Sequence, residues 1–286
     1  MSSAIQVTDL HKTYATGTKA LKGIDFEIAN GEFFALLGPN GSGKSTLINI
    51  LSGATKRTAG KIKICGLDID EQREKTKFFL GVVPQEVSID WFFTVNEALQ
   101  IQSGYYGIRN NQKYIDEVLE KLGLSDKKYS RTRALSGGMK RRLLIAKALI
   151  HKPKVLILDE PTAGVDVELR RGLWSYMREL NKSGLTILLT THYIEEAQQL
   201  CERTAIINKG KLVALENTKK LIADFEKSNL EEVFVQLTYG TSEKLPYARK
   251  QEVDAGVVLP IRRQGNDAVD AAEGGFSEVP YDNKDE

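Results

Sequence analysis

Cysteine is scarce: Cys65 and Cys201 are the two in a chain of 286 residues. They lie far apart, with no metal-type cluster around either. They exclude a disulfide framework and read as reduced, buried thiols. Long apolar runs are missing as well, and none approaches the roughly 18–20 residues needed to span a bilayer. Charge of one sign does not dominate: 40 Lys and Arg face 38 Asp and Glu, net +2. That balance argues against a nucleic-acid partner. The opening residues, Met1-Ser2-Ser3-Ala4-Ile5-Gln6, show neither a basic n-region nor an apolar h-region, so a chain neither embedded in a membrane nor secreted is expected. Hydrophobic residues make up 41% of the chain, enough for a sizeable core, which excludes a wholly disordered or collagen-like molecule.

Charge is unevenly placed. Residues 241–286 carry ten acidic and six basic side chains, net −4, leaving 34 basic and 28 acidic, net +6, in the first 240. The tail has no sustained strand or helix period and is read as a disordered acidic tail. Upstream, strand and helix signals alternate. Ile24-Asp-Phe-Glu-Ile28 has a half-buried strand's pattern. Glu32–Leu37, Val155–Leu158 and Thr186–Thr190 read as buried strands, with helices over 44–51, 137–150 and 167–181. Such alternation predicts a mostly parallel, covered sheet. A mainly helical stretch, about 90–150, interrupts it.

Gly38-Pro39-Asn40-Gly41-Ser42-Gly43-Lys44-Ser45, followed by Thr46, matches the pattern G-x-x-x-x-G-K-[S/T]. Glycines let backbone N–H groups approach phosphate oxygens, and the following helix turns its positive end to the same anion. Lys44 supplies a point charge and the Ser45 hydroxyl a ligand for Mg²⁺. The loop lies between a predicted strand and a predicted helix, which separates it from a plain glycine-rich turn. Val155-Leu-Ile-Leu158 delivers Asp159 and Glu160 to a strand's carboxyl end, where open α/β sheets bind ligands. Asp159 is placed to hold Mg²⁺, and Glu160 to orient or deprotonate an attacking water. Leu135-Ser136-Gly137-Gly138-Met139 follows the loop and precedes the acidic pair. Ser136 suits an N-cap, and two glycines leave the backbone open at a helix start.

These motifs, in this order, resemble the nucleotide-binding subunits of ABC transporters over residues 4–240. The resemblance implies an α/β P-loop NTPase of the ABC-ATPase fold, with a RecA-like core, an N-terminal antiparallel β-subdomain and an inserted α-helical subdomain at about 88–152. It further implies an ATPase using ATP and Mg²⁺. Tyr14 takes the place of the aromatic that stacks on adenine. Gln85 matches the glutamine that touches Mg²⁺ or the attacking water. Ser136, Gly137 and Gly138 would meet the nucleotide of a second subunit, and Asp166 the opposing subunit itself. His192 matches the switch histidine at the γ-phosphate. Met139 stands where the family more usually has glutamine. Val82–Glu86, Glu160–Asp166, Thr190–Tyr193 and Leu230–Thr238 are most similar to ATPases of ABC-2-type exporters. The implied partners are a separate transmembrane permease and a second ATPase subunit, with the chain peripheral on the cytoplasmic face of the cell membrane. The alternatives are a soluble ABC ATPase without transport, such as an iron–sulfur assembly component, and a small-molecule kinase using the same loop.

Three smaller readings complete the expectation. Trp91-Phe92-Phe93 and Tyr105-Tyr106 read as internal packing, with permease docking as the alternative. Lys140-Arg141-Arg142 reads as a solvated helix face, with contact to a partner chain as the alternative. His11 and His151 read as structural or exposed.

Overall fold

A computed structural model describes residues 3–86 and 88–240. The acidic tail expected over 241–286 lies outside them. The chain opens with two long strands, β1 (Ser3–Thr13) and β2 (Lys19–Ala29), then β3 (Phe33–Leu37) and helix α1 (Lys44–Leu51). Next come β4 (Ala59–Ile64), β5 (Leu67–Asp68), α2 (Arg73–Phe79) and β6 (Leu80–Val83). Three helices follow, α3 (Val95–Tyr105), α4 (Gln112–Lys121) and α5 (Gly137–Leu149). The rest alternates: β7 (Val155–Asp159), α6 (Val167–Lys182), β8 (Thr186–Thr190), α7 (Ile194–Leu200), β9 (Arg203–Asn208), β10 (Lys211–Asn217), α8 (Thr218–Asp224) and α9 (Leu230–Tyr239). Among the described residues, no helix is long and apolar enough to cross a membrane.

Two sheets result. One is antiparallel, in the order β2-β1-β4-β5; the other has the order β10-β9-β3-β8-β7-β6 and is parallel apart from its β10–β9 pair. Strand alternation distributes the core. On β3, Phe33, Ala35 and Leu37 join the apolar layer formed with α3–α9, while Phe34 and Leu36 join the layer shared with the antiparallel sheet and α1. On β7, Leu156 and Leu158 go to the first layer, Val155 and Ile157 to the second. The parallel sheet is therefore covered on both faces, as its unbroken apolar strands require. Phe26 of β2 stacks on Phe34 of β3 with ring centroids 5.8 Å apart.

Helix starts are capped as their sequences dictate. Thr94 and Glu97 exchange bonds in a capping box at α3 (Glu97 N to Thr94 Oγ1 3.2 Å; Thr94 N to Glu97 Oε2 2.7 Å). Ser136 Oγ accepts from Met139 N at 3.3 Å, and Asp166 Oδ1 from Leu169 N at 2.9 Å.

Two expectations are corrected. Trp91, Phe92 and Tyr105 do not pack internally: they are 72%, 76% and 79% exposed. Tyr106 does pack, its ring parallel to His151 at 3.8 Å. Cys201 is buried, which pushes its thiol pKa up, whereas Cys65 is only half-buried. Phe34 is fully buried where the two sheets meet. Its truncation in Phe34→Ala should cost about 3–5 kcal/mol, read as a lowered urea midpoint with an unchanged m-value.

Candidate functional site

The carboxyl ends of five parallel strands meet on one side of the sheet. The phosphate loop follows β3, Gln85 follows β6, Glu160 follows β7, His192 follows β8, and Lys209-Gly210 follow β9. A cleft of about 300 Å³ lies there, lined by Asn40, Gly41, Gly43, Lys44, Ser45 and Thr46 together with Gln85, Glu160, Lys209 and Gly210.

The loop is built for close approach. Gly43 stands at φ +114°, where an added Cβ would meet the Ala20 carbonyl and Leu21 side chain at 2.8 Å. Glycine is thus required both by conformation and by space. Pro39 O accepts from Ser42 N at 3.1 Å, and Gly210 N donates to Ser42 O at 2.9 Å, so the β9–β10 turn braces the loop. Lys44 is buried and donates to Gly38 O at 2.6 Å and Pro39 O at 3.1 Å. Burial lowers its pKa, while Glu160 and Asp159 pull it back up. The Ser42 hydroxyl is buried with no hydrogen-bond partner among the described residues. Tyr14 is exposed beside the start of α1, its hydroxyl 3.2 Å from Thr46 Oγ1.

The two strand-end carboxylates differ in setting. Asp159 is buried, and Thr190 Oγ1 donates to its Oδ1 at 2.5 Å. Glu160 turns sharply, at φ +52°, its N–H donating to Thr190 O at 3.0 Å. A non-glycine residue in that region costs of order 1–3 kcal/mol and clusters at functional sites. Gln85 Nε2 donates to Glu160 Oε2 at 3.1 Å, and His192 Nε2 contacts Oε1. The structure therefore gathers Lys44, Ser45, Gln85, Glu160 and His192 into one constellation.

Other expected residues stand elsewhere. Ser136, Gly137, Gly138 and Asp166 do not line this cleft. Ser136 and Gly137 are exposed and Gly138 half-exposed, and a Cβ built on either glycine meets nothing within 4 Å. Ser136 is accounted for by its cap of α5, whereas no packing contact calls for glycine at 137 or 138.

The basic run on α5 overturns the reading of a solvated face. Arg141 and Arg142 are 3% and 8% exposed. Arg141 donates to Pro84 O at 2.6 Å and to Glu160 O at 2.8 Å, tying the Gln85 segment to the Glu160 turn. Burial lowers its pKa, and Asp159 and Glu160 oppose that. Arg142 donates to Leu122 O at 2.6 Å and Gly123 O at 3.0 Å. Fixed geometry and backbone acceptors win over solvation because a guanidinium satisfies several carbonyls at once. Lys209 and Gly210 were also missed; their signal is a Lys-Gly-Lys turn between apolar runs.

A family model described as "ABC transporter" matches residues 21–163. The linearmycin resistance ATP-binding protein of Bacillus subtilis (strain 168) is 40% identical over 213 residues, 74% of this chain and 68% of that one. The Nod factor export ATP-binding protein I of Ralstonia nicotianae is 40% identical over 232 residues, 80% of this chain and 72% of that one. Among solved structures, the ATP-binding subunit of an ABC transporter has TM-score 0.77 at 27% identity, covering 82% of this chain and 99% of that one. A dimeric post-hydrolysis ATP-binding cassette with ADP and Pi has TM-score 0.69 at 28% identity, covering 74% and 98%.

Arg141→Leu leaves the Pro84 carbonyl without its donor and deprives Glu160 O of a charged one. It should lose about 2–4 kcal/mol of stability, measured by chemical denaturation against wild type.

Proposed function

The chain belongs to the ABC transporter family as an ATP-binding subunit, and from that premise we propose that its ATPase activity drives an ABC-2-type exporter. The observation that carries the ATPase is the meeting of Lys44 and Ser45 with Gln85, Glu160 and His192 at one edge of the sheet; the likeness to a Nod factor export ATP-binding protein supports export.

ATP is bound with its phosphates along residues 38–46. Lys44 supplies positive charge, and the N-terminal end of α1 adds to it. Tyr14 is the base-stacking aromatic of this reading. Mg²⁺ fits the residues present. Ser45, Gln85 and Asp159 offer oxygen atoms, and among the described residues no set of three or more His, Cys, Asp or Glu could hold a metal by itself. Mg²⁺ uses few protein ligands and keeps waters and substrate phosphates. When bound, it would neutralise charge developing on the phosphates. Glu160 takes the proton of the attacking water, while Gln85 and His192 hold its two oxygens in place.

We further propose that two copies close head to tail. Gly137 and Gly138 leave their backbone open with nothing internal against it, which suits a γ-phosphate presented by the other copy at the start of α5. Asp166 lies at the start of α6, exposed to the same partner. Residues 88–152 form the helical subdomain that meets the permease. Trp91, Phe92 and Tyr105 are exposed there, and large exposed aromatics are characteristic anchors of protein interfaces. The permease carries the transmembrane path, with this chain peripheral on the cytoplasmic face.

Glu160→Gln should bind ATP as wild type does, lose turnover by at least about 10²-fold, and elute as a dimer in ATP. Wild-type hydrolysis in that variant rules out the assigned role of Glu160. In detergent extracts of membranes, the tagged chain should bring down a polytopic membrane protein. Trp91→Ala combined with Tyr105→Ala should lose that partner while keeping ATP binding. A soluble partner instead would move the weight to a non-transport ABC ATPase.

A further inference from the structure

Glu196, in the first turn of α7, is fully buried. Its side chain turns inward and gathers three neutral donors. Thr191 Oγ1 donates to Oε2 at 2.5 Å, Trp174 Nε1 to Oε1 at 3.1 Å, and Thr162 Oγ1 also to Oε1. Among the described residues no Lys, Arg or His forms an ion pair with it. A buried carboxylate is tolerated only when such donors replace water.

The donors come from three separate places. Thr162 lies two residues after Glu160, in the turn that runs on to Asp166. Thr191 immediately precedes His192, and its hydroxyl also accepts from Tyr193 N at 2.9 Å. Trp174 belongs to α6, the helix that Asp166 caps. The carboxylate thus bridges the segment after β7 to the segment after β8, and anchors both to α6. Glu160 and His192 are the residues those two segments carry into contact. Sub-ångström placement of such groups governs rate more than affinity, since the binding loop lies elsewhere.

We propose that Glu196 is a positioning residue for hydrolysis: it fixes the Glu160 segment against the His192 segment without touching the nucleotide. The proposal rests on the ATPase reading of the same site. In the full chain, Glu196→Gln keeps the shape but replaces one acceptor with an NH₂ donor facing other donors. It should lower kcat at least about tenfold while the Kd for ATP stays within about threefold of wild type. Thr191→Val and Thr162→Val, which keep volume and lose only a hydroxyl, should each lower kcat with ATP binding retained. They decide the matter on the same readings if Glu196→Gln does not fold.

Wild-type kcat in these variants overturns the proposal. So does a fall in kcat matched by an equal loss of ATP affinity, which marks a merely structural role. Glu160→Gln, measured alongside, separates the two levels. If it is inactive while Glu196→Gln is active, only the positioning role fails; if it is active, the reading of the site fails.

Discussion

The parallel pairing of β7 with β8 sets the candidate site, because its register places Asp159 opposite Thr190. Side chains alternate along a strand, so a slip of one residue would send Asp159 to the other face of the sheet. The pairing also runs one step past the strand. The N–H of Glu160 donates to Thr190 O, and this bond holds Glu160 in its left-handed turn. A conformation unfavourable in an isolated peptide is thereby made obligatory, and it presents the carboxylate to Gln85 and His192. The backbone oxygen of Glu160 is fixed in turn by Arg141.

The phosphate loop depends on the second sheet as much as on the first. Gly43 passes so close to Ala20 and Leu21 of β2 that a methyl group would not fit. On its other side the loop meets Gly210 at the end of β9. The antiparallel sheet is therefore a wall of the site. The Phe26–Phe34 stack joins it to β3, the strand that feeds the loop.

Most of this architecture was legible in the sequence, because local signals and tertiary demand agree. Helix 44–51 follows from the loop motif. Buried strands at 155–158 and 186–190 follow from unbroken apolar runs ended by polar residues. What escaped notice are residues whose local signal contradicts their surroundings. Arg141 and Arg142 look solvated in any window of sequence, and only the carbonyls of Pro84, Glu160, Leu122 and Gly123, brought in from elsewhere in the chain, explain their burial. Glu196 is the same case with opposite charge. Trp91, Phe92 and Tyr105 err the other way, since apolar bulk argues for a core that the fold does not extend to them. Ser136, Gly137, Gly138 and Asp166 were legible as motifs, yet one copy of the chain gives them no common site.

The outermost strand β6 carries a consequence for how copies of the chain can join. An unpaired strand flank is a template for adding another chain's strand. Here it is four residues long and runs directly into Pro84, which has no N–H to offer. His151 Nε2–H donates to the Leu80 carbonyl at 3.0 Å, and Arg141 occupies the Pro84 carbonyl. Two of the carbonyls beside that flank, Leu80 and Pro84, are thus taken by side chains of the same molecule. This flank discourages permanent sheet-to-sheet fusion.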